Sequence, residues 1–385
     1  MLIGICGAKC AGKSTVAQYL IDHHGFKKLH LRRAPASASS SSSSSASQVG
    51  AGAPRPEADS LNDVDIPAIP DSLNNGDTLA IRSKSKSPAS PEHVFATAQA
   101  LVDFVTKRWR SRFVTTDIHD EAVLDALTRR PFFLLISVDA PVTVRWRRWQ
   151  QQRAEVNGQG DGEELPRSLE DFVARSDAHL YSPADGVLPL MSRASVQLLN
   201  TSSDLAHLYA TLGKLDLADA ARLRPSWDAY FMRLASLAAR RCNCMKRAVG
   251  CVVVDALHRV VSTGYNGTPR SLRNCGEGGC PRCNSGDAAS GVSLATCLCL
   301  HAEENALLEA GRERIRPGCV LYCNTCPCLT CSIKIVQVGI SEVVYNQGYS
   351  MDGDAAEVFR SAGIKLRQFS PPADGLIHLE KMELY

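Results

Sequence analysis

His301, Glu303, Cys328 and Cys331 stand out because their types and spacing can do chemistry together; they lie in the segments HAEENALLEA and TCPCLTC. Cys328 and Cys331 are three positions apart, so at the start of a helix both thiolates face one side, where the positive end of the helix dipole favours their ionised form. An imidazole opening a second helix adds a third donor. Two soft thiolates and one imidazole suit zinc, and three protein ligands leave the fourth tetrahedral position to water. An open position makes such a centre catalytic, since the metal lowers the pKa of water from ~15.7 toward ~7. Glu303, two residues after the histidine, is too close to be an ordinary fourth ligand. From the first helical turn it can still reach that water, which is the place of a proton shuttle. The competing reading is a closed zinc knuckle, which needs neither this glutamate nor Pro327. The neighbouring Glu304 reads as a solvated or interface residue.

The joint pattern H-x-E, then P-C-x-x-C, is the signature of zinc deaminases acting on cytosine or adenine. With MKRAVGCVVV, GYNGTPR, HAEENALLEAGR and CPCLTCSIKIVQVGISEVVY, the stretch from Trp227 to Ser370 resembles the cytidine and deoxycytidylate deaminase superfamily, and closely its deoxycytidylate deaminases. The resemblance implies an α/β/α sandwich that hydrolyses dCMP to dUMP and ammonia and so supplies dUMP for thymidylate synthesis. It also implies a homo-oligomer, hexameric or dimer-based, activated by dCTP and inhibited by dTTP, with Mg2+ accompanying the triphosphate. Glu303 then delivers the water proton to N3 of the ring and to the departing amine. Asn266 corresponds to the asparagine that members use near the sugar, and Arg270 and Tyr349 join it as substrate contacts. Lys246, Arg247, Arg270 and Arg273 flank the expected mouth as candidates for the monophosphate. Arg312 matches an arginine at a subunit contact. Gly264 and Gly267 are expected to let the backbone turn tightly beside a ligand. Cys244, Cys275, Cys280 and Cys283, with Cys297 and Cys299 in reserve, supply a second, structural zinc site that would pin the polar loop NCGEGGCPRCN. The alternative is a set of reduced free thiols.

These residues need a frame. AVGCVVVDALHRVVSTGYNG reads as a two-stranded hairpin, preceded by an amphipathic helix from Trp227 to Arg241. A helix from His301, a strand CVLYC, a helix from Cys328, a strand EVVYN, a helix near Ala355 to Ala362 and a strand KLRQFS follow. Strands alternating with helices after an opening hairpin predict a mixed sheet with helices on its faces.

A second chemical motif opens the chain. GAKCAGKS, with Gly7, Gly12, Lys13 and Ser14, follows an apolar strand and opens a helix, as a phosphate-binding loop requires. Backbone amides and Lys13 would hold phosphate oxygens and Ser14 a magnesium ion. FFLLISVDAPVTVRWRRWQQQR and LLNTSSDLAHLYATL are similar to parts of small P-loop kinases such as dephospho-coenzyme-A kinase, which implies a parallel α/β fold and lid arginines. Where those kinases carry an acidic acceptor segment, this chain has KLHLRRAP and a serine run, so the domain is expected to be regulatory or degenerate. We therefore expect a P-loop domain over 1–218, with a Ser/Ala/Pro-rich disordered insertion at 34–91, and a deaminase domain over 225–385.

The composition is compatible with this. The chain of 385 residues is long enough for two domains, and its formal charge of +3 is unlike the one-signed surface of a nucleic-acid or membrane binder, so neither partner is expected. The opening MLIGICG lacks a basic leader region and reads as a strand, which predicts a cytoplasmic protein, with the nucleus as alternative. Thirteen of the fifteen cysteines fall between Cys242 and Cys331, in tight pairs that point to thiolate ligation rather than disulfides. Cys251, Cys319 and Cys323 sit in strand-like runs and are expected in the core. Rival readings are a deaminase of free cytidine or an RNA base, a P-loop phosphotransferase with a zinc-stabilised accessory domain, and a non-catalytic zinc module. Substrate phosphate dependence and nucleic-acid competition separate the first from a dCMP enzyme, ATP turnover that survives Glu303→Ala marks the second, and zinc without exchangeable water marks the third.

Overall fold

The computed structural model describes residues 1–33, 93–155, 168–202, 204–286, 296–348, 352–372 and 375–379. The insertion expected at 34–91 and the candidate substrate contact Tyr349 lie outside the described residues. No helix among the described residues is long and apolar enough to cross a membrane.

The first half alternates strands and helices. β1 (Leu2–Gly7) leads into α1 (Lys13–His24), then β2 (Lys27–Leu31), β3 (His93–Phe95), α2 (Ala98–Thr106), β4 (Phe113–Thr115) and α3 (Glu121–Thr128). β5 (Phe133–Asp139), α4 (Val142–Glu155), α5 (Leu169–Tyr181), α6 (Leu188–Ser192), β6 (Val196–Leu199) and α7 (Leu205–Leu215) complete the run. Side-chain oxygens of Thr97, Asp120, Ser168 and Asp204 accept from the first free amides of α2, α3, α5 and α7, which is why those helices start where they do. β1 is buried along its whole length, as a strand covered on both faces must be, and pairs in parallel with β4 and β5.

The second half is the mixed sheet expected from the sequence. α8 (Trp227–Ala239) precedes the hairpin of β7 (Gly250–Val254) and β8 (Val260–Tyr265). The short α9 (Pro281–Asn284), α10 (Ala302–Ala310), β9 (Val320–Thr325), α11 (Leu329–Val338), β10 (Glu342–Gln347), α12 (Asp352–Ser361) and β11 (Lys365–Gln368) follow. The strand order is β11-β10-β9-β7-β8; β7 is antiparallel to both neighbours, and β9, β10 and β11 run parallel. Successive side chains of a strand point to opposite faces, and β7 divides its residues accordingly. Val252 and Val254 pack with Phe231, Met232 and Ala235 of α8, whereas Cys251 and Val253 pack with Ala302 and Ala306 of α10 and Ile335 of α11. Cys251, Cys319 and Cys323 are fully buried.

One strand near the end of the described residues crosses the expected boundary 225–385. β12 (Gly375–His378) leaves the mixed sheet and pairs in parallel with β6, so the first sheet has seven strands in the order β12-β6-β5-β1-β4-β2-β3. Ile377 and Leu379 are buried in the first domain's core. Four residues of modest hydrophobicity carry no local sign of which sheet they will join, because the partner edge is contributed by residues almost two hundred positions earlier.

Candidate metal centre and its surroundings

Both ligand-bearing helices begin at one point. His301 is the residue before α10 and Cys328 the residue before α11, each in extended backbone that turns its side chain across the helix start. His301 Nδ1 lies 3.3 Å from the sulfurs of both Cys328 and Cys331, and the three donor atoms fall within 4.8 Å of one another. Zn–S bonds of ~2.3 Å and Zn–N bonds of ~2.0 Å subtend tetrahedral edges of about this length, so the donor set fits a zinc ion. The two thiols divide their protons unequally. Cys331, with His301 and Thr330, holds the Cys328 thiol down to about 3, while the Cys331 thiol is pushed up by its neighbour and by burial.

Glu303, in the first turn of α10, is only 4% exposed. Burial pushes its carboxyl up to about 7, against the charges of His301 and Arg247, so it can hold or release a proton near neutrality. Arg247 is thus within electrostatic reach of the centre.

Glu304 is largely withdrawn from solvent in this chain. Its Oε2 accepts from the His301 amide at 3.0 Å and its Oε1 pairs with Lys334 in the middle of α11, which ties the start of α10 to the body of the second ligand helix. A glutamate at the third helical position is a recognisable capping signal, but Lys334 carries no local sign of its role.

Gly264 serves packing rather than a turn beside a ligand. A Cβ there would lie 2.1 Å from the Ala302 carbonyl oxygen, so the glycine lets β8 run against the backbone of α10. At Gly267 a Cβ would lie 2.3 Å from Asn243 Oδ1. Ser262 Oγ donates to the Ala306 carbonyl and Asn305 Nδ2 to the Tyr265 carbonyl, fixing the same pair of elements.

The remaining candidates have the following contacts within the chain. Asn266 is buried; its Oδ1 accepts from the Val249 amide at 2.8 Å and its Nδ2 donates to the Arg247 carbonyl at 2.7 Å. It therefore shapes the Arg247–Val249 segment, aided by Asn324, whose Oδ1 accepts from Gly250 and whose Nδ2 donates to Ala248. Nothing in the local sequence of Asn324 marks it for this role. Arg270 is largely exposed and pairs with Glu309 of α10 at 3.3 Å. Arg312 donates to the Val338 carbonyl at the end of α11. Of the four thiols expected to share a second metal, Cys244, Cys275 and Cys283 come together with Cys299, not Cys280. Cys280 belongs to another group, with Cys283, Cys297 and Cys299. The correction follows from the fold: α9 and the β8–α10 connection bring the supposed spares into the cluster.

The glycine-rich loop after β1 leads directly into α1. Cys10 and Gly12 have positive φ values of 57° and 106°, and the Lys13 ammonium donates back to the carbonyls of Gly7 and Ala8 at 3.0 and 2.8 Å. Arg148 of α4 reaches the Ala11 and Ser202 carbonyls at 3.1 and 2.7 Å, bringing a cation to the loop. Gly12, Lys13, Ser14, Arg148 and Asn200 line a cavity of about 420 Å³. On the other side of Lys13 a second cavity of about 590 Å³ is lined by Lys9, Arg33, His119, Arg175 and His179, with Asp185 beside Arg33, a mainly basic surface.

The family model for the cytidine and deoxycytidylate deaminase zinc-binding region matches residues 225–347. A deoxycytidylate deaminase of Schizosaccharomyces pombe is 41% identical over 374 residues, covering 97% of this chain and 99% of that one. Its counterpart from Saccharomyces cerevisiae is 47% identical over 281 residues, covering 71% and 86%. Among solved structures, the dCMP deaminase of cyanophage S-TIM5 in complex with dCMP and dUMP matches at 27% identity and a TM-score of 0.31, covering 38% of this chain and 98% of that chain.

Proposed function

Because the chain belongs to the deoxycytidylate deaminase family, we propose that it hydrolyses dCMP to dUMP and ammonia at the centre formed by His301, Cys328 and Cys331, with Glu303 carrying the proton. The observation that carries this reading is the convergence of one imidazole and two thiols beside a buried carboxyl whose pKa lies near 7.

When bound, zinc supplies the Lewis acidity that makes water a nucleophile near neutral pH. The protein's own residues do the rest. Glu303 accepts a proton from the water that attacks C4 of the ring, returns it to N3, and passes a proton to the amine as the C4–N bond breaks, so one water enters and one ammonia leaves. Burial matters here because a solvated glutamate would stay ionised and be a poor acid for the second transfer. Glu304 and Lys334 hold the ligand helices in register, and Asn266 and Asn324 shape the backbone that carries Arg247.

The family resemblance supports a homo-oligomer activated by dCTP and inhibited by dTTP. The loop at Gly7–Ser14 supports a phosphate site in the first domain, with Ser14 as the magnesium contact of a bound nucleotide.

The test is to follow loss of cytosine absorbance with dCMP, CMP and deoxycytidine, with and without dCTP. The expected outcome is turnover of dCMP that falls by about 10²–10⁴ in Glu303→Ala while zinc stays bound. Equal use of deoxycytidine would overturn the monophosphate substrate, and wild-type turnover by Glu303→Ala would overturn the proton carrier.

A further inference from the structure

Apart from the catalytic centre, the second domain holds a small cluster whose buried hydrophobic members are all cysteines. Cys275, Cys280, Cys283 and Cys299 are buried together, and among the described residues the partly buried hydrophobic side chains packed on them are Cys244 and Cys297. Among the described residues these six thiols form two overlapping quartets, Cys244–Cys275–Cys283–Cys299 and Cys280–Cys283–Cys297–Cys299, with every sulfur of a quartet within 4.8 Å of the others. Cys283 and Cys299 belong to both.

The distances are those of metal ligation. Sγ···Sγ separations are 3.8 Å for Cys244–Cys283, 3.8 Å for Cys280–Cys297, 3.6 Å for Cys283–Cys297 and 3.9 Å for Cys283–Cys299. A disulfide needs ~2.05 Å and none is formed. A tetrahedral zinc with Zn–S bonds of ~2.3 Å sets its sulfurs ~3.8 Å apart. One such ion uses four thiolates and leaves two stranded; two separate ions would need eight. Six thiols with two held in common match two tetrahedra that share an edge. We propose that these six cysteines hold two zinc ions as a binuclear cluster, Cys244 and Cys275 completing one ion, Cys280 and Cys297 the other, and Cys283 and Cys299 bridging both.

The surroundings suit thiolate. The Leu298 amide donates to Cys280 Sγ at 3.4 Å, Asn284 Nδ2 to Cys275 Sγ at 3.7 Å and Arg282 Nη1 to Cys297 Sγ at 3.8 Å. These N–H groups offset the excess negative charge of six thiolates over two dications. Loading displaces one proton from each thiol and changes no oxidation state. The cluster also has something to hold. Cys299 is followed by Leu300, whose amide and carbonyl pair with Gly267 at 2.8 and 3.1 Å, and then by His301. Two ions locked into the loop therefore fix the approach of the catalytic imidazole.

The experiment uses the full-length protein, exchanged with 113Cd and examined by NMR beside metal analysis of the zinc form. The expected result is three zinc ions per chain and three cadmium resonances, two of them split by each other through the bridging sulfurs. Cys297→Ser should lower the zinc count and abolish the splitting, whereas Cys331→Ser should lower the count and leave the splitting intact. Two ions with mutual splitting in the wild type would support the cluster and count against the catalytic centre, so the two readings fail separately. Absence of any mutually split pair in the wild type, or visible absorption with acid-labile sulfide, would overturn the proposal.

Discussion

Glu304 and Lys334 form an ion pair that ties the N-terminus of α10 to α11, while the same carboxylate accepts the His301 amide hydrogen. One side chain thus sets the backbone of the first metal ligand and the distance to the helix that carries the other two. Glu304→Ala should cost about 1 kcal/mol of stability, the value of a lost helix cap, and weaken zinc binding by about 10–100-fold. Glu304→Gln, which keeps an acceptor for His301, should retain most of the affinity. Chelator competition measures both, and equal affinity in Glu304→Ala and wild type would refute the link.

Gly264→Ala places a methyl group against the Ala302 carbonyl, where 2.1 Å of space cannot hold it. The strand and α10 must separate, at a cost of about 1–3 kcal/mol. Because Glu303 rides on α10, a shift near 1 Å should lower kcat by about 10²-fold. Thermal unfolding and steady-state kinetics on the same sample would show whether the loss of rate exceeds the loss of folded protein.

Asp228 sets an acid limit on the second domain. Hydrogen bonds from Arg367, then from Tyr322, and the charge of Arg367 hold its carboxyl below the ordinary 3.8. A depressed folded-state pKa contributes stability that is complete above 3.8 and lost as pH falls through the lower folded value. Asp228→Asn should therefore be less stable by about 1 kcal/mol at neutral pH, a modest figure because the pair is partly solvated, and should flatten the acid side of the stability curve. Denaturant titrations across that range decide it; parallel acid limbs in the two proteins would remove Asp228 from the account.

Ile377→Ala tests the terminal strand. The residue is 7% exposed in the first domain's core, so the truncation should cost about 2 kcal/mol or more. Hydrogen exchange should quicken in β6, its paired strand, while zinc content is unchanged. Faster exchange confined to β11 would contradict the pairing.

Lys13→Ala tests the phosphate loop. The ammonium now rests on the Gly7 and Ala8 carbonyls and is available to replace those contacts with phosphate oxygens. Calorimetry with magnesium and a nucleoside triphosphate should show binding by the wild type that weakens by about tenfold or more in the variant. No heat from the wild type with any nucleoside triphosphate would end the case for the loop.

The order of elements, the mixed sheet, the candidate metal ligands and the carboxyl near them are legible in the sequence because each depends on short-range chemistry. A helix start aligns Cys328 with Cys331, Glu303 follows His301 by two positions in the first turn of α10, and the continuous apolar run of β7 requires two covered faces. The same locality made GAKCAGKS readable as a loop between a strand and a helix. What the sequence left open depends on pairs distant in the chain. Lys334 meets Glu304 only because α10 and α11 start at one point, and Asn266 is turned to the Arg247–Val249 backbone rather than to open space. Cys299 and Cys297 enter the thiol cluster because the Gly267–Leu300 bridge folds their loop back onto Cys244 and Cys283. The last strand joins the first sheet because β6 offers an open parallel edge and the first core has room for Ile377 and Leu379. Residue type and spacing specify which atoms can bind a metal or move a proton; only the packed chain decides which of them share an ion, since that choice is made by distances between segments that no local pattern encodes.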